Sequence, residues 1–81
     1  MDKEQQIREK LNVIFRNIFD DETLQIYDTM SAADVENWDS LTHINLIVAI
    51  EKGFKISMTT KEVQALSNVG ELVRLVVRKL P

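Results

Sequence analysis

The sequence predicts an all-α protein, a small four-helix bundle with three main helices and one short helix. Apolar residues recur along the chain at the three- and four-residue spacings that are typical of helices. Only two glycines and one proline occur in 81 residues, which leaves few places for the tight turns that a sheet needs. Because a chain of this length builds one core, we expect residues 1–81 to form a single domain.

The first helix should run over about residues 3–19. Apolar residues of its inner face recur at spacings of four, three and four, at Ile7, Leu11, Ile14 and Ile18. Three acidic residues, 20–22, come next. Negative charge is unfavourable at the C-terminus of a helix, so we expect the chain to have turned away by then.

Residues 20–38 form a long connection whose apolar residues do not keep to one helical face. A connection of this length is usually functional or packed by its own side chains. We expect Leu24, Ile26 and Met30 to pack it onto the core, with one short helical turn near residues 31–35.

The second helix should start at Asp39 or Ser40 and run to about Lys52, where Gly53 would end it in the left-handed conformation. Residues 59–62, Thr-Thr-Lys-Glu, form a capping-box pattern that predicts a short third helix, which should end at about Leu66.

A second capping-box pattern, Asn-Val-Gly-Glu at residues 68–71, predicts the fourth helix. Its inner face would consist of Val69, Leu72, Val73, Val76 and Leu80. The core predicted for the whole bundle consists of Ile7, Leu11, Ile14, Ile18, Leu46, Ile47, Ile50, Phe54, Val63, Leu66, Val69, Leu72 and Val76.

The second helix has two apolar stripes when it is drawn at about 100° per residue. The stripe expected to face the core consists of His43, Leu46, Ile47, Ile50 and Phe54. The other lies on the opposite flank of Ser40 and consists of Leu41, Ile44 and Val48. One stripe is enough to face a core, so the second is either covered by the long connection or left exposed for a partner.

The negative charge is concentrated just before this helix. Residues 20–39 contain seven acidic side chains and neither lysine nor arginine, while the net charge of the whole chain is −3. Nucleic acids are bound through basic stripes, so this distribution argues against a nucleic-acid partner. It favours a partner with a basic docking surface.

No run of about 18 apolar residues is present, so the sequence offers no membrane span. The N-terminus lacks the basic and then apolar pattern of a signal peptide. We therefore expect a cytoplasmic protein.

No catalytic machinery accompanies Ser40. A serine nucleophile needs a base within reach, and the lone histidine, His43, falls on the core side of the second helix. We expect His43 to pack or cap locally there, and Trp38 to anchor the long connection on the core. With no cysteine, the chain has neither a disulfide framework nor a thiolate metal site. We interpret Ser40 as a substrate for another enzyme, and the chain as a protein without catalytic or metal-binding residues.

Residues 38–41, Trp-Asp-Ser-Leu, head an apolar helix and resemble the attachment site of the acyl carrier protein family. The resemblance covers nearly the full chain, because the order of the helices and the spacing of Glu51 and Phe54 also match. It implies that a phosphopantetheinyl transferase attaches 4′-phosphopantetheine covalently to Ser40. Acyl intermediates would then be carried as thioesters on the terminal thiol of this arm.

The resemblance also implies roles around the serine. Asp39 would help to bind the transferase and its metal, and the apolar core between the helices would shelter an acyl chain. An acyl ligase or an acyltransferase or synthase would dock on Asp39, Leu41, Ile44, Val48 and Glu51.

This sequence departs from the usual pattern of carriers in fatty-acid biosynthesis. Those carriers place acids just after the leucine and again three residues on, whereas this chain has Thr42 and Asn45. Lys52 and Lys55 follow the one acid of the helix, Glu51. These differences favour a specialised carrier outside housekeeping fatty-acid synthesis, and we expect it to be a monomer.

Three alternatives stay open from the sequence. The chain could be a housekeeping fatty-acid carrier, or a peptidyl carrier that lacks the usual glycine-flanked serine. In another class, it would be a non-enzymatic helical interaction module, with Ser40 only a helix cap and the second apolar stripe a dimer face.

Overall fold

The computed structural model describes residues 3–80, and this part of the chain is all-helical, as predicted. The four helices are α1 (Lys3–Phe19), α2 (Ser40–Phe54), α3 (Thr60–Gln64) and α4 (Val69–Lys79). Helix α1 contacts both α2 and α4. The core lies between these three helices and the long connection after α1.

Helix α1 has the predicted bounds and buries one face, which includes Ile7, Leu11 and Phe15. It ends at a left-handed residue, Asp20, with φ of 51°. The N–H of Asp21 then donates to the carbonyl of Arg16 at 3.0 Å, which closes the last turn. The chain turns away here, as the run of acids indicated.

The long connection is packed by its own side chains. Ile26 and Met30 are buried, and Leu24 packs against the core, as predicted. Asn12, a buried polar residue of α1, accepts a hydrogen bond from the Ile26 N–H at 2.8 Å and ties the connection to that helix. Near residues 31–35 the chain forms a hydrogen-bonded turn but no helix.

The connection also closes the start of α4. The N–H of Val69 donates to the Met30 carbonyl at 2.8 Å, and the N–H of Gly70 donates to the Asp28 carbonyl at 2.9 Å. A Cβ on Gly70 would lie 3.1 Å from that carbonyl oxygen, so a larger residue would push the connection away by a few tenths of an ångström. The Asp28 carboxylate in turn pairs with Arg8 of α1 at 2.7 Å.

The predicted end of α2 was wrong. The helix continues through Gly53 to Phe54, and Lys55 takes the left-handed conformation, with φ of 56°. The N–H of Ile56 donates to the Glu51 carbonyl at 3.1 Å and completes the C-terminal motif. Gly53 has a different reason to be small, because a Cβ there would lie 3.2 Å from Cδ1 of Ile14 on α1.

The two short-range capping patterns hold with small differences. At α3 the Thr59 hydroxyl accepts from the Glu62 N–H, and the Glu62 carboxylate accepts from the Thr59 N–H. This helix ends at Gln64, two residues before the expected end.

At α4 the Asn68 side chain accepts from the Glu71 N–H at 2.9 Å. The Glu71 carboxylate accepts from Ser67 at 3.0 Å rather than from Asn68. The hydrogen bond from the backbone to the Glu71 side chain therefore starts one residue earlier than in a standard capping box.

The predicted core is largely confirmed. Its buried members are Ile7, Leu11, Leu46, Ile47, Ile50, Val69, Leu72 and Val76. Ile14, Ile18, Phe54 and Leu66 are half-buried and pack against it. Val63 is half-buried and lines a surface groove, so its assignment to the core was wrong. The prediction left out Phe15, which is completely buried.

Candidate functional site at the start of the second helix

Asp39 caps α2 and leaves Ser40 free. Asp39 has an extended backbone, with φ of −102°, and its Oδ1 accepts the Thr42 N–H at 2.8 Å. That hydrogen bond from the Thr42 backbone holds the pKa of the Asp39 carboxyl below its ordinary value. Ser40 is the first helical residue and is exposed. Among residues 3–80 no group bonds to its hydroxyl, so the alternative in which Ser40 serves only as a cap is wrong.

Trp38 fixes the position of this helix start. Its indole packs edge-on against Phe15, with ring centroids 5.7 Å apart, and lies 5.6 Å from Phe19. These contacts anchor the residue before the cap in the aromatic part of the core, as the sequence indicated. Ser40 therefore projects from a fixed point of the bundle.

Trp38 also binds His43, one turn into α2. The indole Nε1–H donates to Nδ1 of His43 at 3.1 Å, and the two rings stack with an interplanar angle of 26°. Because Nδ1 is occupied as an acceptor, it does not serve as a base for Ser40. The interpretation of His43 as a packing residue is confirmed.

The second apolar stripe of α2 is exposed. Leu41, Ile44 and Val48 are 69%, 58% and 41% exposed, whereas Leu46 and Ile50 on the other stripe are completely buried. The long connection does not cover these three side chains. The helix therefore presents an apolar surface directly beside Ser40, which we call the α2 strip.

The acid of α2 is partly engaged within the fold. Oε2 of Glu51 accepts the Met58 N–H at 2.9 Å and holds the connection between α2 and α3. Glu51 is half-buried, while Asp39 and Glu36 are exposed. The negative charge near the α2 strip therefore comes mainly from the residues before the helix.

An open groove of about 640 Å³ runs beside Ser40. It lies between the start of α2, the end of the long connection, and the segment from α3 to α4. Its apolar lining includes Trp38, Ile44, Val63, Leu66, Val69 and Leu72, and its polar lining includes Ser31, His43, Thr60, Gln64, Ser67 and Asn68. The sequence alone does not place the α3 and α4 residues beside Ser40, because helical periodicity does not show which side of a short helix faces another element.

Within residues 3–80, no helix has the length and apolar character that crossing a membrane requires. No cluster of three or more histidine and carboxylate side chains in this range could hold a metal ion.

Comparisons with known proteins agree on one family. The family model described as the phosphopantetheine attachment site matches residues 7–76. Among solved structures, the solution NMR structure of the holo acyl carrier protein from Geobacter metallireducens is similar, with 44% sequence identity and a TM-score of 0.85. That similarity covers 90% of this chain and 84% of the other. A search of curated proteins found no match.

Proposed function

The chain belongs to the phosphopantetheine attachment family, and from this premise we propose that Ser40 is the residue that bears its arm. The protein is an acyl carrier with a covalently attached 4′-phosphopantetheine arm, a carrier and not a catalyst. The observation that supports Ser40 is its hydroxyl, which is exposed, lies at the first position of α2 and has no partner in the described part of the chain.

The surroundings of Ser40 fit such an arm. The adjacent groove of about 640 Å³ has both apolar and polar lining, and the arm itself combines amide groups with apolar links. The arm supplies a terminal thiol on which acyl groups are carried as thioesters. We propose that the groove shelters part of the arm and its acyl chain, within one carrier domain over residues 1–81.

The hydroxyl of Ser40 is the group of this chain that reacts during loading. Oγ of Ser40 forms a bond to the phosphorus next to the pantetheine of coenzyme A, the phosphoanhydride bond breaks, and adenosine 3′,5′-bisphosphate leaves. The proton of Ser40 passes to a base of the phosphopantetheinyl transferase, because His43 Nδ1 already accepts from Trp38. The exposed carboxylate of Asp39 is the group that the transferase and its metal would meet first.

The attachment site is tested by intact mass after incubation with coenzyme A and a broad-specificity transferase. Ser40→Ala should abolish the phosphopantetheine mass increment and leave the helical circular dichroism unchanged, because Asp39 still caps α2. Ser31→Ala and Ser67→Ala are matched controls, since these serines also line the groove. An increment that survives Ser40→Ala, or disappears in a control, would overturn the assignment.

We propose that partner enzymes dock on the α2 strip together with Asp39 and Glu51. These partners would be an acyl ligase or an acyltransferase or synthase. Buried apolar contacts hold such a complex, while charges at the rim mainly tune the association rate and its salt dependence. The carrier would act as a monomer, with the strip reserved for these enzymes.

We propose further that the carrier is specialised and works outside housekeeping fatty-acid synthesis. The support is the weak charge of α2: Thr42 and Asn45 carry no charge, and one oxygen of Glu51 is bonded to Met58. Enzymes that recognise an acidic helix would find fewer carboxylates here.

The loaded protein should be a poor substrate for fatty-acid synthesis enzymes, measured by the rate of acyl transfer to its arm. Thr42→Asp with Asn45→Glu should raise that rate. Thr29→Asp with Asn17→Glu, which adds the same charge at exposed positions off α2, should not. Efficient transfer to the unmodified chain, with no gain from the added acids, would indicate a housekeeping carrier instead.

A further inference from the structure

The Trp38–His43 pair places a hydrogen-bond donor beside Ser40, and we propose that this donor binds the arm. The Nε2–H of His43 would donate to the hydroxyl or amide oxygen at the near end of the arm and direct it into the groove. This inference rests on the proposed attachment at Ser40. His43 would thus be an arm-binding residue, and Trp38 the residue that positions it.

The donor follows from the hydrogen bond between the two rings. An indole nitrogen only donates, so Nδ1 of His43, at 3.1 Å from Trp38 Nε1, is the acceptor. A neutral imidazole then carries its proton on Nε2. The Trp38 partner therefore selects the tautomer in which the far nitrogen of His43 is an N–H donor.

This N–H is accessible, and it belongs to a ring that borders the groove. Nε2 has no hydrogen-bond partner in the described residues. No fully buried side-chain nitrogen or oxygen in that range is without a partner, so Nε2 is accessible and not sealed in the core. His43 is also part of the groove lining, together with Ser40.

The position of the ring suits the near end of the arm. Side chains three residues apart on a helix are neighbours, with about 5–6 Å between their Cβ atoms, so the ring of His43 lies close to the point where the arm would leave Ser40. The ring is held by the hydrogen bond and stacking of Trp38, which itself packs on Phe15. A donor that is already ordered loses little conformational entropy when it binds.

Two substitutions distinguish the acceptor role of His43 Nδ1 from the donor role of its Nε2–H. In His43→Asn the side-chain Oδ1 can replace Nδ1 as the acceptor for Trp38, but the Nε2–H is lost. In His43→Gln the amide Nε2 can replace the groove donor, but the acceptor for Trp38 is lost. Ser57→Ala, at an exposed residue outside the groove lining, is the neutral control.

The arm thiol gives a direct readout. The chain has no cysteine, so the arm carries the one thiol of the loaded protein. Intact mass would first establish that each variant is loaded, and the rate of thiol alkylation by iodoacetamide would then be followed by mass. His43→Asn should accelerate alkylation about two- to tenfold, the range expected for one hydrogen bond. His43→Gln should show a smaller increase, and Ser57→Ala none.

A second measurement needs no variant of His43. Nitrogen-15 NMR of its ring should show the Nε2–H tautomer both in the loaded protein and in Ser40→Ala, with slower exchange of this proton only when the arm is present. Equal exchange in both, or equal alkylation in loaded wild type and His43→Asn, would overturn the inference. An absent mass increment in wild type would instead overturn the assignment of Ser40, and the inference with it.

Discussion

Leu41 and Leu46 are the same residue type five positions apart on α2, but they meet opposite surroundings. Leu46 is completely buried, whereas Leu41 is 69% exposed. Burial of an apolar side chain is the main favourable contribution to folding. We therefore expect Leu46 to contribute to the stability of the fold and Leu41 to contribute to the binding of partners.

Leu46→Ala should lower the free energy of unfolding by about 2–5 kcal/mol, because the truncation leaves a cavity in the core. Leu41→Ala should change it by less than about 0.5 kcal/mol, which is usual for an exposed site. Urea unfolding followed by circular dichroism measures both. In an acyl-transfer assay with a partner enzyme, the order of the two effects should reverse. Leu41→Ala should lower the transfer rate more than Leu46→Ala does, when both variants are folded. Similar losses of stability for the two would mean that α2 is turned differently.

Ser40 and Asp39 show a division of roles between adjacent residues. The carboxylate of Asp39 satisfies the Thr42 N–H at the start of α2, so the hydroxyl of Ser40 is not needed as a cap. A serine that capped the helix would have its oxygen engaged as an acceptor. The sequence pattern admitted either residue as the cap, and the structure distinguishes them by the extended backbone of Asp39 and its hydrogen bond from Thr42.

At the scale of the element, the end of α2 is held by an unusual residue. Lys55 takes the left-handed conformation that glycine adopts most readily, while the nearby Gly53 remains helical. A left-handed backbone costs roughly 1–2 kcal/mol for a residue with a side chain. Gly53 lies where α1 and α2 approach each other, and the cost of the left-handed conformation falls on Lys55, two residues later.

Lys55→Gly should raise the free energy of unfolding by about 0.5–1 kcal/mol, because relief of the left-handed strain exceeds the added entropy of the unfolded chain. Lys52→Gly makes the same substitution at a helical, exposed position of α2 and should lower it by about 0.5–1 kcal/mol. Urea titrations of the two variants test this. A loss of stability in both would show that the side chain of Lys55 contributes more than its backbone costs.

The helices and the α2 strip could be predicted from the sequence, because both follow from the spacing of apolar residues along one element. The end of α2 could not, since the role of Gly53 depends on Ile14 of another helix. The groove was missed for the same reason. Val63 and other residues of α3 and α4 border the same groove as Ser40, and only the packing of the whole bundle brings them there.

The pairing of Trp38 with His43 lies between these cases. The sequence indicated that Trp38 anchors the connection and that His43 packs locally. It did not show that the two rings are bonded, because the bond depends on how the connection enters α2. Local patterns therefore predicted the parts of the site, and tertiary contacts assembled them.

At the scale of the whole molecule, ionised carboxylates hold the starts of three helices. The pKa of Glu62 is lowered to about 2, chiefly by its hydrogen bond with Lys79 of α4 and then by the Thr59 backbone. The Ser67 backbone lowers the pKa of Glu71, and the Thr42 backbone lowers that of Asp39. Each carboxylate is a stronger acceptor when it is ionised, so these hydrogen bonds favour the charged form.

These three groups predict how the fold responds to acid. Their pKa values in the folded chain lie below those of free carboxyl groups, about 4, so the folded form binds fewer protons than the unfolded form. The stability they contribute is thus complete above about pH 5 and is lost as the pH falls from there towards 2. The melting temperature, followed by circular dichroism, should fall across this window.

Glu62→Gln tests the largest of the three shifts. Its melting temperature should be lower than that of the parent at pH 7 and should fall less on acidification, because residue 62 no longer titrates. Parallel curves for the two proteins between pH 5 and 2 would show that the Glu62 contacts contribute nothing to the stability of the bundle.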